Sequence, residues 1–378
     1  MQWLLILLVG YGAGVASSQA QAADRPNIVL IFADDLGWQE PGYAGSDYCE
    51  TPNLDRLAKE GLVFRHAYAA AGNCAPSRAC MLSGQYTPRH GVYAVGSTKR
   101  GPVQLMRMVP IANSHSLPTE TRTMGEAMKQ AGYATGMFGK WHLGDSKTGK
   151  SEQSGFDEVG VSQHGLNSKD PEDPKGIFSI TAKACEFMEK HQNEPFFLYL
   201  PHYAVHSALQ GRQETLNHFK DKDPGKLHSD YKLAACLADL DTGIGMVLKK
   251  LEDLKLADNT LVFFTSDNGG THVSQEPLRG KKGCYYEGGI RVPAIARWPG
   301  VVKPGTICDV PVINVDFYPT FLDVAGVEPS KGSSLLDGES LLPLLLGKPE
   351  LKRSAVFWHF PGYLDGPVPR GRDPVFRT

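Results

Sequence analysis

Four apolar runs along the chain predict buried strands. The first run is nearly continuous and rich in branched residues, which is typical of a strand covered on both faces of a parallel sheet. The others share this apolar character over a similar length. In chain order, the four runs cover residues 27–33, 133–138, 195–200 and 260–264.

Amphipathic segments between these runs predict helices. Pro52 opens one helix and Gly61 ends it, because proline suits a first helical turn and glycine a C-terminus. A second helix covers residues 123–131, and the longest covers residues 231–254 with apolar side chains along one stripe. Strands that alternate with such helices predict an α/β fold, with a mostly parallel central sheet flanked by helices on both faces.

The first 22 residues are interpreted as a secretory signal peptide. They contain no charged side chain, residues 4–9 are apolar, and Ala20-Gln21-Ala22 is a small-x-small cleavage pattern. The apolar run is too short for a stable transmembrane helix. An uncleaved, lipid-facing anchor is the alternative. We therefore expect an exported protein without a membrane span after cleavage, either periplasmic or secreted, or in a lysosome-like compartment of a eukaryote.

Composition narrows the class of protein. The 378 residues include 39 Lys and Arg against 41 Asp and Glu, so the formal charge of −2 offers no broadly basic surface for nucleic acid. The 41 glycines and 26 prolines indicate a loop-rich protein whose function lies on loops. The seven cysteines are an odd number, so at least one of them stands outside any set of internal disulfides.

Polar clusters follow two of the predicted strands. Asp34 and Asp35 come directly after the first strand, and Asp267 and Asn268 follow the strand at 260–264. In open parallel sheets, ligands bind beyond the carboxyl ends of the strands. Carboxylate and amide oxygens are hard ligands, so this set favours Ca²⁺ or Mg²⁺ over zinc. In the alternative interpretation, each aspartate only caps the loop or helix that follows it.

Lysine and histidine side chains form a second group of candidates. Lys140 and His142 lie between two glycines after a strand, and alternate residues of an extended segment point to the same side. A cation beside an imidazole suits an anionic substrate and proton transfer. His206 follows the strand at 195–200, and Lys282 lies in a glycine-rich stretch. Taken alone, each of these residues also fits a surface or structural position.

Cys74 and Arg78 belong to the short segment Cys-Ala-Pro-Ser-Arg. A thiol near an arginine can be a nucleophile with a lowered pKa. The alternatives are a small buried cysteine in a proline turn, or one half of a disulfide to Cys80. The residue types alone leave all three interpretations open.

The segment around Cys74 resembles the signature of the formylglycine-dependent sulfatases, a branch of the alkaline phosphatase superfamily. The signature Cys-x-Pro-Ser-Arg with a Leu-x-Gly ending matches residues 74–84. The resemblance extends over roughly residues 25–350 and implies an alkaline phosphatase-like fold and the hydrolysis of sulfate monoesters. Four further family segments occur in the family's order, at residues 33–37, 139–144, 266–269 and 287–293.

The resemblance also implies a modified residue and a bound cation. Cys74 would be oxidised to formylglycine by a formylglycine-generating enzyme, and the hydrate of the aldehyde would supply the nucleophile. This modification would leave six cysteines. The cation would be Ca²⁺, with Mg²⁺ as the other option. Its implied ligands are Asp34, Asp35, the modified Cys74, Asp267 and Asn268.

The remaining candidates match family residues that act on the sulfate group. Arg78 and Lys140 match residues that hold the formylglycine hydrate and the sulfate. His142 matches the base that breaks down the covalent intermediate. His206 and Lys282 match the pair that binds sulfate and protonates the leaving oxygen.

One further sulfate ligand has no secure match. The family often adds a sulfate-binding serine after the Lys-x-His segment. Ser162 is the candidate in this chain, and His164 is the alternative.

The resemblance further predicts the domain organisation. Residues 24–345 would form the sulfatase catalytic domain. Family members usually continue into a C-terminal subdomain with a small antiparallel sheet, whereas here the pattern after Asp337 is short and interrupted by proline and glycine until the chain stops at Thr378. We therefore expect residues 346–378 to be the start of an incomplete C-terminal subdomain.

The leading hypothesis is an exported sulfatase that acts on carbohydrate or aryl sulfates. Its expected partners are a sulfated small molecule or saccharide and the formylglycine-generating enzyme, and no nucleic acid. A phosphodiesterase or phosphonate monoester hydrolase built on the same site is the nearest alternative, because phosphoryl and sulfuryl transfer require similar charge stabilisation. A catalytically silent carbohydrate-binding relative is the third hypothesis.

Overall fold

A computed structural model describes residues 25–144, 155–160, 167–327 and 335–363 of the chain. The predicted signal peptide at residues 1–22 lies outside these ranges. The strands, numbered along the chain, are β1 (Asn27–Ala33), β2 (Leu62–Phe64), β3 (Ala67–Tyr68), β4 (Ala134–Phe138), β5 (Glu158–Gly160), β6 (Phe196–Pro201), β7 (Thr260–Ser266), β8 (Arg291–Val292), β9 (Ala294–Arg297), β10 (Thr306–Cys308) and β11 (Val312–Ile313).

Eight of these strands form the central sheet, in the order β10-β2-β9-β7-β1-β6-β4-β5. β1 pairs in parallel with β6 and β7, and β4 pairs in parallel with β6 and β5. β9 runs antiparallel between β7 and β2, and β10 pairs in parallel with β2. The mostly parallel sheet that the sequence predicts is therefore confirmed, with one antiparallel strand inside it.

Helices cover both faces of this sheet. They are α1 (Pro52–Glu60), α2 (Cys74–Ser83), α3 (Thr87–His90), α4 (Met124–Gln130), α5 (Ile177–Lys190), α6 (Gln213–Asp221), α7 (Tyr231–Asp253), α8 (Glu287–Ile290), α9 (Phe317–Val324) and α10 (Leu342–Leu345). Side chains of a strand alternate between its two faces. In β1, Ile28, Leu30 and Phe32 accordingly join an apolar layer with α2, α4, α9 and α10, and Val29 and Ile31 join a second layer with α1, α5, α6 and α7.

Local sequence signals explain the helix boundaries. Pro52 begins α1 and Gly61 follows its end, as predicted. Thr123 precedes α4, where its hydroxyl accepts a hydrogen bond from the backbone N–H of Glu126 while the Glu126 carboxylate accepts one from the backbone N–H of Thr123. This reciprocal capping box satisfies two N–H groups at the start of the helix. Cys74 does not lie in a proline turn, because it is the first residue of α2.

Residues 335–363 pack against the main body. Arg353 donates to Oδ2 of Asp316 at 2.7 Å, and the indole N–H of Trp358 donates to the carbonyl of Ala69 at 2.8 Å. A separate small sheet has the strand order β11-β3-β8, and its residues Ala67, Val292 and Val312 belong to the same apolar layer as α2. The domain boundary at residue 345 and the incomplete subdomain stay predictions. Within the described ranges, no helix has the length and apolar character needed to cross a bilayer.

Candidate active site

Seven of the predicted site residues lie at the carboxyl ends of four neighbouring parallel strands. Because these strands are adjacent and parallel, the residues that follow them meet at one edge of the sheet. Backbone hydrogen bonds continue across this edge, since the N–H of Asp34 donates to the carbonyl of Ala204 at 2.8 Å. The strand ends supply Asp34 and Asp35 after β1, Lys140 and His142 after β4, His206 after β6, and Asp267 and Asn268 after β7.

Cys74 enters this edge from the first position of α2 and is 1% exposed. Its Sγ lies 3.4 Å from Oδ1 of Asp34 and 3.7 Å from Oδ1 of Asp35. Burial and the negative charges of Asp267 and Asp34 raise the pKa of the thiol well above its ordinary value. The thiol therefore stays protonated at neutral pH, which argues against a thiolate nucleophile. The disulfide to Cys80 is absent, since all seven cysteines, each a described residue, are free.

Arg78 lies one turn into α2 and is completely buried. Its Nε and Nη2 both donate to Oδ2 of Asp267, at 3.0 and 2.8 Å, and its Nη1 donates to the carbonyl of Lys140 at 2.9 Å. Burial opposes the charge, but Asp267 outweighs it and raises the pKa of the guanidinium. Arg78 thus connects α2 to the loops that follow β4 and β7.

Two lysines bind the two carboxylates next to Cys74. Nζ of Lys140 donates to Oδ2 of Asp34 at 2.6 Å, and Nζ of Lys282 donates to Oδ2 of Asp35 at 2.7 Å. Burial disfavours each ammonium, but Asp34 raises the pKa of Lys140, and Asp35 and Asp34 raise that of Lys282. Burial likewise opposes ionisation of Asp34, and Lys140 outweighs it, so the pKa of Asp34 is lowered. The Cys74 position is therefore flanked by two stable positive charges.

His206 approaches Asp35 from the loop after β6. Its Nε2 lies 3.8 Å from Oδ2 of Asp35, and its Nδ1 lies 2.7 Å from the carbonyl of Ser207. A carbonyl only accepts hydrogen bonds, so Nδ1 carries a proton and Nε2 is the nitrogen free to exchange one with a ligand.

The oxygen atoms at this edge fit a hard divalent cation. One ligand atom from each of Asp34, Asp35, Cys74 and His206 lies within 4.8 Å of the others. Oδ1 of Asn268 is buried and has no hydrogen-bond partner among the described residues, while its Nδ2 donates to Oδ1 of Asp35 at 2.9 Å. A buried amide oxygen without a donor is costly unless a positive group faces it. Carboxylates and an amide oxygen are the ligands that Ca²⁺ and Mg²⁺ prefer.

Asp267 lies beside this cluster, but both of its oxygens already have donors. Oδ2 accepts two hydrogen bonds from Arg78, and Oδ1 accepts one from the backbone N–H of Asp35 at 3.1 Å. Its part as a cation ligand stays a prediction, as do the parts of the other ligands.

The segment that carries Lys140 and His142 is not extended. His142 has φ of 63°, in the left-handed region, so alternate side chains do not share a side there, contrary to our expectation. Lys140 is buried and His142 is exposed. Partial desolvation of the imidazole and the positive charges of Lys140 and Arg78 lower the pKa of His142. The residue therefore stays neutral and able to accept a proton.

The candidates for the further sulfate ligand have no described position, and one contact of Arg78 has no signal in the sequence. Ser162 and His164 lie outside the described residues. Tyr199 also contacts the site, since its hydroxyl lies 3.5 Å from Nη1 of Arg78. An aromatic residue inside the apolar run of β6 has the same pattern as any core residue, so the sequence carries no signal for this contact.

Known proteins share the fold and part of the sequence of this chain. The family model described as Sulfatase matches residues 26–327. A protein of Formosa agariphila named Sulfatase is 35% identical, over 93% of this chain and 78% of its own length. The N-acetylgalactosamine-6-sulfatase of Canis lupus familiaris is 31% identical, over 94% of this chain and 72% of its own. The crystal structure of Ps i-CgsB in complex with k-i-k-neocarrahexaose matches with a TM-score of 0.73 at 30% identity, over 86% of this chain and 77% of that one. With the family model, the fold and these relatives in agreement, the chain belongs to the sulfatase family and is a sulfuric ester hydrolase.

Proposed function

We propose that the protein is an exported sulfatase that hydrolyses sulfate monoesters of saccharides, with Cys74 converted to formylglycine and Ca²⁺ bound beside it. One arrangement carries this proposal. The Cys74 sulfur lies 3.4 Å from Asp34 and 3.7 Å from Asp35. The other oxygens of these carboxylates accept hydrogen bonds from Lys140 and Lys282. Two ammonium groups that can bind an anion therefore lie close to a reacting group at position 74.

The environment of Cys74 supports its modification. Carboxylates and burial keep the thiol protonated, so it is a poor nucleophile as it stands. Formylglycine, as its hydrate, would supply an oxygen nucleophile and a second hydroxyl group whose deprotonation releases the sulfate. Since Cys74 is buried in the folded chain, the formylglycine-generating enzyme would have to act on residues 74–78 before the chain folds.

Three cationic side chains would bind and orient the sulfate. Each lysine ammonium has three donors, so Lys140 and Lys282 can bind a sulfate oxygen as well as a carboxylate. Arg78 holds Asp267 and the backbone of Lys140 in place and adds a third fixed charge. Fixed charges of this kind stabilise the charge that develops on the peripheral oxygens during sulfuryl transfer.

The two histidines suit opposite proton transfers. His206 would donate a proton from Nε2 to the leaving oxygen, because its Nδ1 is bound to the carbonyl of Ser207 and its Nε2 faces the site, 3.8 Å from Oδ2 of Asp35. His142 would remove the proton that releases the sulfate, because its lowered pKa keeps it in the neutral form that accepts one.

The oxygen ligands of the site are proposed to hold a divalent cation. The residues proposed to hold it are Asp34, Asp35, the modified Cys74, Asp267 and Asn268, and the unpaired Oδ1 of Asn268 is the observation that favours this set. When bound, the cation would add positive charge near the sulfate oxygens. Ca²⁺ is proposed over Mg²⁺ because it accepts irregular sets of oxygen ligands.

Saccharide sulfates are the proposed substrate class because of the relatives. One relative is named N-acetylgalactosamine-6-sulfatase, and the Ps i-CgsB structure contains a neocarrahexaose. Export is proposed from the signal-like pattern of residues 1–22.

The test combines turnover with mass spectrometry. We expect the Ca²⁺-loaded protein to hydrolyse 4-nitrophenyl sulfate and sulfated saccharides faster than the matching phosphate and phosphonate esters. The peptide that contains residues 74–78 should carry an aldehyde that reacts with a hydrazine, and Cys74→Ala should abolish both signals. Faster turnover of phosphodiesters or phosphonates would favour the alternative hydrolase. No turnover of any ester by modified protein would favour the silent carbohydrate-binding relative.

A further inference from the structure

Glu40 and Gln275 form a buried pair between the two loops that carry the site residues. Glu40 is completely buried and Gln275 is 2% exposed. Nε2 of Gln275 donates to Oε1 of Glu40 at 3.0 Å. Glu40 lies on the same loop as Asp35, and Gln275 lies on the same loop as Lys282.

The backbone of each loop packs directly against this pair. A Cβ added to Gly37 would lie 2.4 Å from Oε1 of Gln275, and a Cβ added to Gly270 would lie 2.3 Å from Oε1 of Glu40. A side chain at either position would therefore displace Glu40 or Gln275. The carbonyl of Gly270 in turn accepts a hydrogen bond from the backbone N–H of Lys282 at 3.0 Å.

Neighbouring side chains repeat the connection between the loops. Nε1 of Trp38 donates to the carbonyl of Gln275 at 3.4 Å, and Nε2 of Gln39 donates to the carbonyl of Glu276 at 2.7 Å. With Glu40, three consecutive side chains of one loop thus bind two consecutive residues of the other. Such contacts fix the distance between the loops more firmly than a single hydrogen bond.

The hydrogen bonds of the pair are complete only if Glu40 is protonated. Oε2 of Glu40 and Oε1 of Gln275 are both buried and have no partner among the described residues. A carboxylate would leave both oxygens without a donor, whereas a carboxylic acid O–H can donate to Oε1 of Gln275. Burial raises the pKa of Glu40, and the negative charges of Asp35 and Asp230 raise it further. The hydrogen bonds from Gly37 and Gln275 lower it, but their effect is smaller than that of burial, and the resulting pKa is about 7.

We propose that Glu40 is a positioning residue that, as a neutral acid paired with Gln275, holds the loop of Asp35 against the loop of Lys282. The inference rests on the proposed function for the roles of Asp35 and Lys282. Nζ of Lys282 lies 2.7 Å from Oδ2 of Asp35, so a shift of one loop against the other changes this contact directly. Small displacements of reacting groups are costly in enzymes.

The test compares Glu40→Ala and Glu40→Gln with the wild-type protein, by kcat and KM for 4-nitrophenyl sulfate as a function of pH. Glu40→Ala should lower kcat on the order of a hundredfold because the loops lose their connection. Glu40→Gln should keep its activity, since the new amide N–H donates to Gln275 as the acid does. Wild-type kcat should fall as pH rises through about 7, and Glu40→Gln should lose this decline.

Asp241→Asn is the matched control. Asp241 is another buried carboxyl group, and its pKa is raised to about 6. It accepts hydrogen bonds from the backbone N–H groups of Asn53 and Leu54, away from the pair of Glu40 and Gln275. This variant should change stability without changing the pH profile of kcat. A wild-type kcat in folded Glu40→Ala would overturn the positioning role. Loss of activity in folded Glu40→Gln, or retention of the alkaline decline, would overturn the neutral acid. If the wild-type protein hydrolyses no sulfate ester, the proposed function fails, and the pH dependence of the melting temperatures still tests the pair.

Discussion

Three ion pairs neutralise the buried charges of the site. Each charged residue relies on its partner to offset the free-energy cost of burying its charge. Removing one member of a buried pair leaves an uncompensated charge, which is more costly than the pair is stabilising. The same side chains that would bind sulfate therefore also hold the carboxylates in place. The pairs are Lys140 with Asp34, Lys282 with Asp35, and Arg78 with Asp267.

The first prediction concerns His206 as the acid for the leaving oxygen. His206→Ala should reduce kcat by about a hundredfold or more for alkyl sulfates, whose leaving groups need a proton, and far less for nitrophenyl sulfates. The measurement is kcat over a series of leaving-group pKa values. His142→Ala is the comparison variant and should instead accumulate a sulfated enzyme that mass spectrometry detects. Equal losses for all leaving groups in His206→Ala would contradict this assignment.

The second prediction is a pH-dependent stability effect at Glu40. Its pKa is about 7 in the folded protein against an ordinary value of 4.5. Between these values the unfolded chain loses the proton first, so stability falls as pH rises from about 4.5 to about 7, by about 3 kcal/mol in total. Glu40→Gln cannot ionise and should gain melting temperature relative to the wild-type protein across this window. A difference that does not vary with pH would contradict the shift.

At the scale of elements, one helix is anchored by a single polar side chain of another. Asp241 lies in the middle of α7 and is buried, yet it serves the start of α1. Its Oδ2 accepts from the backbone N–H of Asn53 at 2.9 Å, and its Oδ1 accepts from that of Leu54 at 2.8 Å. The first N–H groups of a helix have no partner within the helix, so α7 supplies what the sequence before α1 does not.

The third prediction follows from this contact. Asp241→Ala leaves two backbone N–H groups of α1 without an acceptor and should lower the free energy of unfolding by about 3 kcal/mol. Urea denaturation followed by circular dichroism measures the change. Asp253→Ala, at the exposed end of the same helix, is the control and should cost far less. A loss at Asp241 no larger than that of the control would show that α1 needs no such partner.

At the scale of the whole molecule, the site is assembled from segments that are distant in the chain. Cys74 reaches the edge of the sheet on α2, while its neighbours come from loops after β1, β4, β6 and β7. The negative charge of Asp267 joins those of Asp34 and Asp35 only in the folded protein, where Oδ1 of Asp267 accepts a hydrogen bond from the backbone N–H of Asp35 at 3.1 Å. Their repulsion therefore opposes folding unless positive groups compensate for it.

The fourth prediction concerns removal of the cation. Chelation should abolish turnover and lower the melting temperature, and added Ca²⁺ should restore both, because binding to the folded state alone stabilises it. Asn268→Ala keeps the net charge and should raise the Ca²⁺ concentration needed for this recovery. Full activity in a preparation shown to be free of metal would rule out the requirement.

Much of this organisation can be predicted from local patterns. The apolar run at β1 and the stripe of α7 depend on neighbours in sequence, so their boundaries agree with the structure within about one residue. Asp34 and Asn268 could be placed at one edge because residues after parallel strands meet there. The partners within that edge could not be predicted in the same way.

The sequence by itself determined the α/β fold class, the family and the residues that meet at the sheet edge, because these follow from periodicity and from short segments of characteristic residues. Only the tertiary structure decided that Cys74 begins a helix, that Lys140 binds Asp34 while Lys282 binds Asp35, and that Glu40 meets Gln275. Such contacts join residues more than a hundred positions apart, and their energies depend on burial. Burial is a property of the packed molecule, and no local pattern records it.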